Sequence, residues 1–75
     1  MTTLMLRVSR GSDDLTGRER EVAVLLARGL RNRDIAEQLV IADKTAKNHV
    51  QRVLDKLGAR SRAEVAARAE DLGLR

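Results

Sequence analysis

Residues 32–57 decide the fold of this protein, and they read NRDIAEQLVIADKTAKNHVQRVLDKL. Apolar residues recur in this stretch at intervals of three and four, first over 35–39 and then over 46–57, which predicts two amphipathic helices. The three residues between them, 40–42, break the helical register without a glycine or a proline. The stretch therefore predicts a short helix, a tight corner and a longer helix.

The longer helix is expected over residues 43–57, with Gly58 as its C-terminal stop. Its apolar residues have the spacing i, i+4, i+7, i+11, which places them on one line: Ala46, Val50, Val53 and Leu57. Asn32 is expected to cap the shorter helix. The buried face of that helix would consist of Ile35, Ala36 and Leu39.

Capping signals predict two further helices, one on each side of this stretch. Thr16 with Glu19, and Ser61 with Glu64, both have the spacing of a capping box. The first of these helices is expected over residues 17–28. The residues expected to face the core from the first and last helices are Val22, Leu25, Leu26, Val65, Ala69 and Leu72.

The fold class expected from these helices is all-α, a four-helix (tetrahelical) domain. Hairpin-turn signals and long alternating runs are absent from the sequence, so a sheet is not expected. Gly29 and Gly73 supply the stops of the first and last helices. Residues 1–14 alternate too briefly for a strand and then become polar, so we interpret them as a flexible lead-in or linker. The folded domain is expected over residues 15–75.

Composition excludes several classes of function. The 75 residues include no cysteine and one histidine, which excludes disulfide frameworks, cysteine-bound zinc and histidine-cluster metal sites. No residue is aromatic, so the stacking platforms of single-strand binders are missing. His49 has no partner at helical spacing for general acid–base chemistry. We therefore expect no catalytic residue, no metal, no cofactor and no small-molecule substrate.

The apolar runs of the sequence are far shorter than the roughly 20 residues needed to cross a bilayer. The chain also does not begin with a charged segment followed by an apolar one, as a secretory signal would. We expect no membrane contact and a cytoplasmic location.

The excess positive charge is confined to one segment. The chain carries a net charge of +4. Residues 42–62 hold six basic and two acidic side chains, and the rest of the chain holds nine of each, so the whole excess lies within 42–62. A basic segment of this kind favours a polyanionic partner.

The helix expected over residues 43–57 presents amides and amines on its outer face near the N-terminal end, and Asp55 lies further along the same face. Asn and Gln can pair with adenine and Lys can reach guanine, in the manner of the second helix of a helix-turn-helix motif in the DNA major groove. The residues of this kind are Lys44, Lys47, Asn48 and Gln51. One flank of the same face suits phosphate oxygens and holds Thr45, His49, Arg52 and Lys56. The alternative is an ordinary solvated face, on which Asp43 and Lys47 form an i, i+4 pair.

Several motifs resemble, in order and spacing, those of the LuxR/NarL (GerE-type) helix-turn-helix domain. They are Leu15-Thr16-x-Arg18-Glu19-x-Glu21-Val22, Gly29-x-x-Asn32-x-x-Ile35-Ala36-x-x-Leu39, Thr45-x-Lys47-x-His49-Val50, Lys56-Leu57 and Ser61-Arg62. The resemblance covers residues 15–74. It implies a four-helix domain that binds double-stranded DNA as the effector domain of a bacterial transcription regulator, such as a response regulator.

The resemblance also implies roles for single residues. It implies base contacts for Lys47, Asn48 and Gln51. The phosphate contacts that it implies are Thr45, His49, Arg52, Lys56, Asn32 and Arg33. It further implies a homodimer on DNA through the last helix, whose outer residues are Ala63, Ala66, Ala67 and Glu70. Helix propensity alone is the alternative explanation for these alanines.

Three residues depart from the pattern of this family. Gly17 stands where the family often has proline, Ala42 occupies the usual serine cap of the recognition helix, and Ala46 replaces a common valine. A missing serine cap costs a helix about 1 kcal/mol.

Two other functions stay open at this point. A promoter reader similar to sigma factor region 4 would share the helix-turn-helix and would need RNA polymerase as its partner. A small helical interaction module would instead dock an acidic protein on its basic stripe.

Overall fold

A computed structural model describes residues 15–74 of the chain. Four helices span this part: α1 (Gly17–Ala27), α2 (Asn32–Leu39), α3 (Asp43–Leu57) and α4 (Arg62–Ala67). Residues 15–74 contain no strand, so the predicted all-α, four-helix fold class is confirmed. The lead-in or linker predicted for residues 1–14 lies outside the described residues.

The central helix of the bundle is α3, which packs against both α1 and α2, while α4 packs against α1. The four residues of its apolar line are all buried in the core. The other predicted core residues are buried too, except Leu39, which is only partly buried. Ala23 and Leu74 are also buried, although the helical spacing did not predict them.

Glycines in the left-handed region end α1, α3 and the turns that follow α4. After α1, the backbone N–H groups of Gly29 and Leu30 donate back to carbonyls of the last turn, at 2.9 and 3.1 Å. This pair of bonds is the Schellman motif, and it recurs at Gly58 and Gly73, whose φ angles are 66° and 72°. The predicted stops at Gly29 and Gly58 are therefore confirmed, whereas Gly73 ends the turns that follow α4 and not the helix itself.

The same motif ends α2 with a valine in place of a glycine. The N–H groups of Val40 and Ile41 donate to the carbonyls of Glu37 and Ala36, at 3.3 and 2.9 Å. Val40 has φ 55° and ψ 52°, where a Cβ crowds the backbone at a cost of about 1–2 kcal/mol. Its side chain is 88% exposed, so core packing does not offset this strain. The predicted corner over residues 40–42 is confirmed, and it is strained.

The prediction that Asn32 caps the start of α2 is wrong. The N-cap of α2 is Arg31, which makes no side-chain cap hydrogen bond. Asn32 is the first residue inside the helix, and its side-chain oxygen accepts a hydrogen bond from the guanidinium of Arg62. A partner distant in sequence therefore takes the oxygen that a local cap would have used.

The capping boxes predicted for α1 and α4 form to different extents. Thr16 and Glu19 make the complete box, with reciprocal bonds of 3.1 and 3.0 Å. Ser61 accepts from the N–H of Glu64 at 3.2 Å, but the carboxylate of Glu64 accepts from the backbone N–H of Arg60 at 2.8 Å. Only half of the second box forms, because the carboxylate of Glu64 bonds the N–H of Arg60 and not that of the N-cap residue Ser61.

The last helix is shorter than predicted, since α4 ends at Ala67 and turns carry the chain on to Gly73. The N–H groups of Ala69 and Gly73 reach back three residues, whereas that of Leu72 reaches back four. Ala69 and Leu72 remain buried, because both kinds of turn repeat every three to four residues. The carbonyl of Gly73 accepts a hydrogen bond from Arg20 at 2.8 Å, which ties this end to α1.

We expect Val40→Gly to raise the free energy of unfolding by about 0.5–1 kcal/mol. Glycine removes the Cβ strain, and its greater freedom in the unfolded chain cancels part of the gain. Gly29→Ala is the reciprocal variant, because an added Cβ meets nothing within 4 Å but the φ of 90° strains it. This variant should lose a similar amount. Urea denaturation measures both, and unchanged stability of Val40→Gly would contradict strain at the corner.

Candidate nucleic-acid interface

The four residues predicted to contact bases lie together on the solvent side of α3. Burial of the apolar line of α3 turns the opposite face outward. The side chains of Lys44, Lys47, Asn48 and Gln51 are all exposed. These four side chains present three kinds of hydrogen-bonding group, ammonium, amide N–H and amide oxygen, with no apolar residue among them.

The residues predicted to contact phosphates fall into two groups in space. On α3, Thr45 and Arg52 are exposed and His49 is half-buried beside the outward face. At the start of α2, Arg33 is exposed and Asn32 is half-buried. The helix-turn-helix corner joins α2 to α3, so the two groups belong to one motif, although Asn32 and Val50, in the middle of α3, are 18 residues apart in sequence.

Lys56 differs from the other predicted phosphate contacts. Its Nζ lies 2.8 Å from Oε1 of Glu19, and the two side chains are 38% and 5% exposed. Glu19 was predicted only as a cap, which it is, and the ion pair was not predicted. The pair ties the C-terminal end of α3 to the first turn of α1, so the ammonium of Lys56 already has an anionic partner.

The environment of Glu19 favours its ionised form. The hydrogen bond from Lys56 is the largest cause that lowers the pKa of Glu19, and the backbone N–H of Thr16 lowers it further. Burial opposes both effects. At the start of α4 the pKa of Glu64 is also lowered, first by the backbone N–H of Arg60 and then by Arg68.

Arg62 organises the start of α2, a role that the sequence pattern did not predict. Its Nη1 donates to the carbonyl of Leu30 at 3.0 Å, and its Nη2 donates to the side-chain oxygen of Asn32. These bonds join the first residue of α4 to the turn before α2. The only signal in the sequence was its place in the Ser61-Arg62 motif, which does not reveal a partner 30 residues away.

Gln51 is held by a neighbour on the same helix. Its Nε2 donates to Oδ1 of Asp55 at 3.1 Å, one helical turn further along. Both side chains are exposed. This bond turns the NH2 end of the Gln51 amide toward Asp55.

The outer side of α4 is open, as the predicted dimer contact requires. Ala63, Ala67 and Glu70 are exposed and Ala66 is half-buried. The structure contains one copy of the chain, so the dimer stays a prediction.

The described part of the chain offers no metal-binding cluster and no membrane span. Within residues 15–74, no three His, Cys, Asp or Glu side chains are grouped so that they could hold a metal ion. None of the described helices is both long and apolar enough to cross a membrane.

Comparison with known proteins identifies relatives over the region of the four helices. Residues 13–69 match the family described as "Bacterial regulatory proteins, luxR family". The chain is 49% identical over 53 residues to the transcriptional regulatory protein LnrK of Bacillus subtilis, which is 71% of this chain and 24% of that protein.

Two further relatives give the same result. The chain is 45% identical over 58 residues to the DNA-binding transcriptional activator DevR/DosR of Mycobacterium tuberculosis, covering 77% of this chain and 27% of that protein. It is 47% identical over 58 residues to the tetrathionate response regulatory protein TtrR of Salmonella typhimurium, covering 77% and 28%. The chain thus spans about a quarter of the length of these relatives.

We expect stability to fall as the pH drops below the ordinary Glu pKa of 4.5. The folded state lowers the pKa of Glu19, so its contribution is complete above 4.5 and is lost as the pH falls through the lowered value. Glu19→Gln should remove part of this loss of stability at low pH. The rest comes from other carboxylates whose pKa is lowered, such as Glu64. Glu21→Gln is the control on the same helix, because its ion pair with Arg18 is exposed. Identical acid profiles for the two variants would contradict the role of Glu19.

We expect Ala42→Thr to stabilise the chain by about 1 kcal/mol. Ala42 is the N-cap of α3, its backbone is extended at φ −70° and ψ 151°, and it makes no side-chain cap bond. A threonine hydroxyl there can accept from the free N–H groups of the first turn. Ala42→Val has the same shape without the hydroxyl and should not stabilise. Thermal or urea unfolding of the three proteins measures the difference, and equal effects of Thr and Val would disprove the missing cap.

Proposed function

The chain belongs to the luxR family of bacterial regulatory proteins and is a DNA-binding domain of bacterial transcription regulation, and we propose that it reads double-stranded DNA with α3 in the major groove. The observation that carries this proposal is the exposed amide and amine face of α3 opposite a fully buried apolar line. A rigid helix with such a face fits the width of the major groove.

The outward face of α3 reads base edges. Asn48 and Gln51 each offer a donor and an acceptor, which match the N6 and N7 positions of adenine. Lys44 and Lys47 donate to the O6 and N7 acceptors of guanine. Each good two-bond contact discriminates against a wrong base by about 1–3 kcal/mol.

The flanks of the motif hold the phosphate backbone. Thr45, His49 and Arg52 contact one strand from α3, while Asn32 and Arg33 contact it from the start of α2. The Arg62 bond supports this role for Asn32, because it occupies the side-chain oxygen and leaves the amide N–H groups for a phosphate. Lys56 is the weakest member of the phosphate set, since Glu19 competes for its ammonium.

The domain acts as the effector part of a longer regulator, in the manner of a response regulator, and it binds as a homodimer through the outer side of α4. Two-fold related copies would contact half-sites about one helical turn of DNA apart. Binding without catalysis, in the cytoplasm where the DNA lies, accounts for the residues present. No residue is assigned to chemistry, and no metal, cofactor or small-molecule substrate is part of the proposal.

Genomic fragments enriched on the purified chain test this function, because they give the half-site sequence and its spacing together. A recurring motif repeated at one spacing is the expected result. Recovery of RNA polymerase core with the chain would favour a promoter reader like sigma factor region 4.

An interaction module for acidic proteins makes a different prediction. Such a module would show little affinity for random duplex at about 50 or 200 mM salt, whereas a DNA-binding domain loses affinity steeply between the two.

We expect Arg52→Ala to weaken binding evenly across sequences and to lower the salt slope by about one, because it removes one phosphate contact. Gln51→Ala, one residue away on the same helix, should leave the slope unchanged and relax base preference at one position of each half-site. Anisotropy titrations on matched and mismatched duplexes over a range of salt separate the two effects. If Arg52→Ala changed sequence preference instead, the division into phosphate and base contacts would be wrong.

A further inference from the structure

We propose that Asp55 determines which bases the domain accepts at the position read by Gln51. Asp55 would do so without touching DNA, by fixing which end of the Gln51 amide faces the groove. The inference rests on the proposed DNA binding and adds a specificity-determining residue to it.

The geometry that supports this role is a single contact on the outward face of α3. Nε2 of Gln51 donates to Oδ1 of Asp55 at 3.1 Å. The two residues are one helical turn apart, where side chains on a helix meet. The ion pairs within 4 Å among residues 15–74 do not include Asp55. Its carboxylate is therefore committed to no basic group in this part of the chain and serves Gln51.

A carboxylate can hold only one end of an amide. An ionised carboxylate accepts hydrogen bonds and donates none. It therefore binds the NH2 group of Gln51 and would repel the amide oxygen. The oxygen is consequently turned away from Asp55, while the second N–H of Nε2 stays free to donate.

This polarity favours particular bases. An outward amide oxygen accepts from the exocyclic amines of adenine and cytosine, and the remaining N–H can also donate to N7 of adenine. Guanine and thymine present carbonyl oxygens at the corresponding place, and two oxygens facing each other repel. With Asp55 in place, Gln51 should select adenine first, then cytosine, against guanine and thymine.

Without its anchor, the amide loses this selectivity. The terminal torsion of glutamine is broad and roughly two-fold, so a free amide presents either its oxygen or its NH2 group. The NH2 group would serve guanine and thymine as well as the oxygen serves adenine and cytosine. The anchoring bond is modest in water, and it strengthens where DNA excludes solvent.

The test is selection of bound duplexes from a random pool with five proteins: the parent chain, Asp55→Asn, Asp55→Glu, Asp43→Asn and Gln51→Ala. Gln51→Ala identifies the position that Gln51 reads. Asp55→Asn has the same shape as the parent side chain, but its own amide can face either way and cannot hold Gln51 in one orientation. It should lower the preference for adenine and cytosine over guanine and thymine at that position by about two- to fivefold.

The other two variants are controls for charge and for the acceptor. Asp43 is a second exposed carboxylate on α3, in its first turn, so Asp43→Asn removes the same charge without touching Gln51. Both Asp43→Asn and Asp55→Asn remove one negative charge and should raise the overall affinity for DNA. Only Asp43→Asn should leave the base preference unchanged. Asp55→Glu keeps a carboxylate within reach and should retain the preference.

The outcomes separate this inference from the proposed function. An unchanged preference at the Gln51 position in Asp55→Asn, or an equal change in Asp43→Asn, would overturn the role of Asp55 while DNA binding stood. If Gln51→Ala kept the full base preference of the parent chain at every position, the role of Asp55 would be overturned as well. If the parent chain enriched no sequence at all, the proposed function would fail and this inference with it. Circular dichroism melts of the variants are the check that these exposed substitutions leave the fold intact.

Discussion

Burial of the apolar line of α3 is the constraint on which the rest of the structure depends. Ala46, Val50, Val53 and Leu57 are removed from solvent by packing against α1 and α2. Ala46 is completely buried next to the corner, where a small side chain lets α2 approach closely. Because a helix is rigid, burying one of its lines also fixes the direction of the opposite one. The same hydrophobic packing that stabilises the domain therefore exposes the amides and amines that we assign to DNA.

The two ends of α3 are held in different ways. Its C-terminal end has a Schellman motif at Gly58 and the ion pair of Lys56 with the buried carboxylate of Glu19. Its N-terminal end follows the strained Val40, and its N-cap residue, Ala42, makes no side-chain cap hydrogen bond. Strain of this kind persists only where the surrounding structure imposes it. Here it lies at the corner that sets the angle between the two helices of the motif.

Polar side chains in this small domain either hold its helices together or orient the groups proposed to contact DNA, and one residue can do both. Arg62 joins α4 to the turn before α2 and also orients the amide of Asn32. Asp55 lies on the face proposed for base recognition but contacts only a neighbouring side chain in the hydrogen bonds of residues 15–74. Basic residues in a DNA-binding domain are thus not interchangeable contacts. Their effect depends on whether an acidic or carbonyl partner within the fold already occupies them.

The sequence by itself determined the four helices, the glycine stops of α1 and α3 and almost all of the core, because these depend on the spacing of apolar residues along one helix and on caps within four residues. The face of α3 followed from the same periodicity. Only the tertiary structure decided the partners of Asn32, Lys56 and Arg62, which lie 30 to 37 residues away. It also decided where α4 stops, since α-helical and tighter turns share nearly the same repeat. Periodicity is a local property, whereas pairing across a bundle depends on how close the helices approach and on which long side chain reaches a carbonyl or carboxylate first.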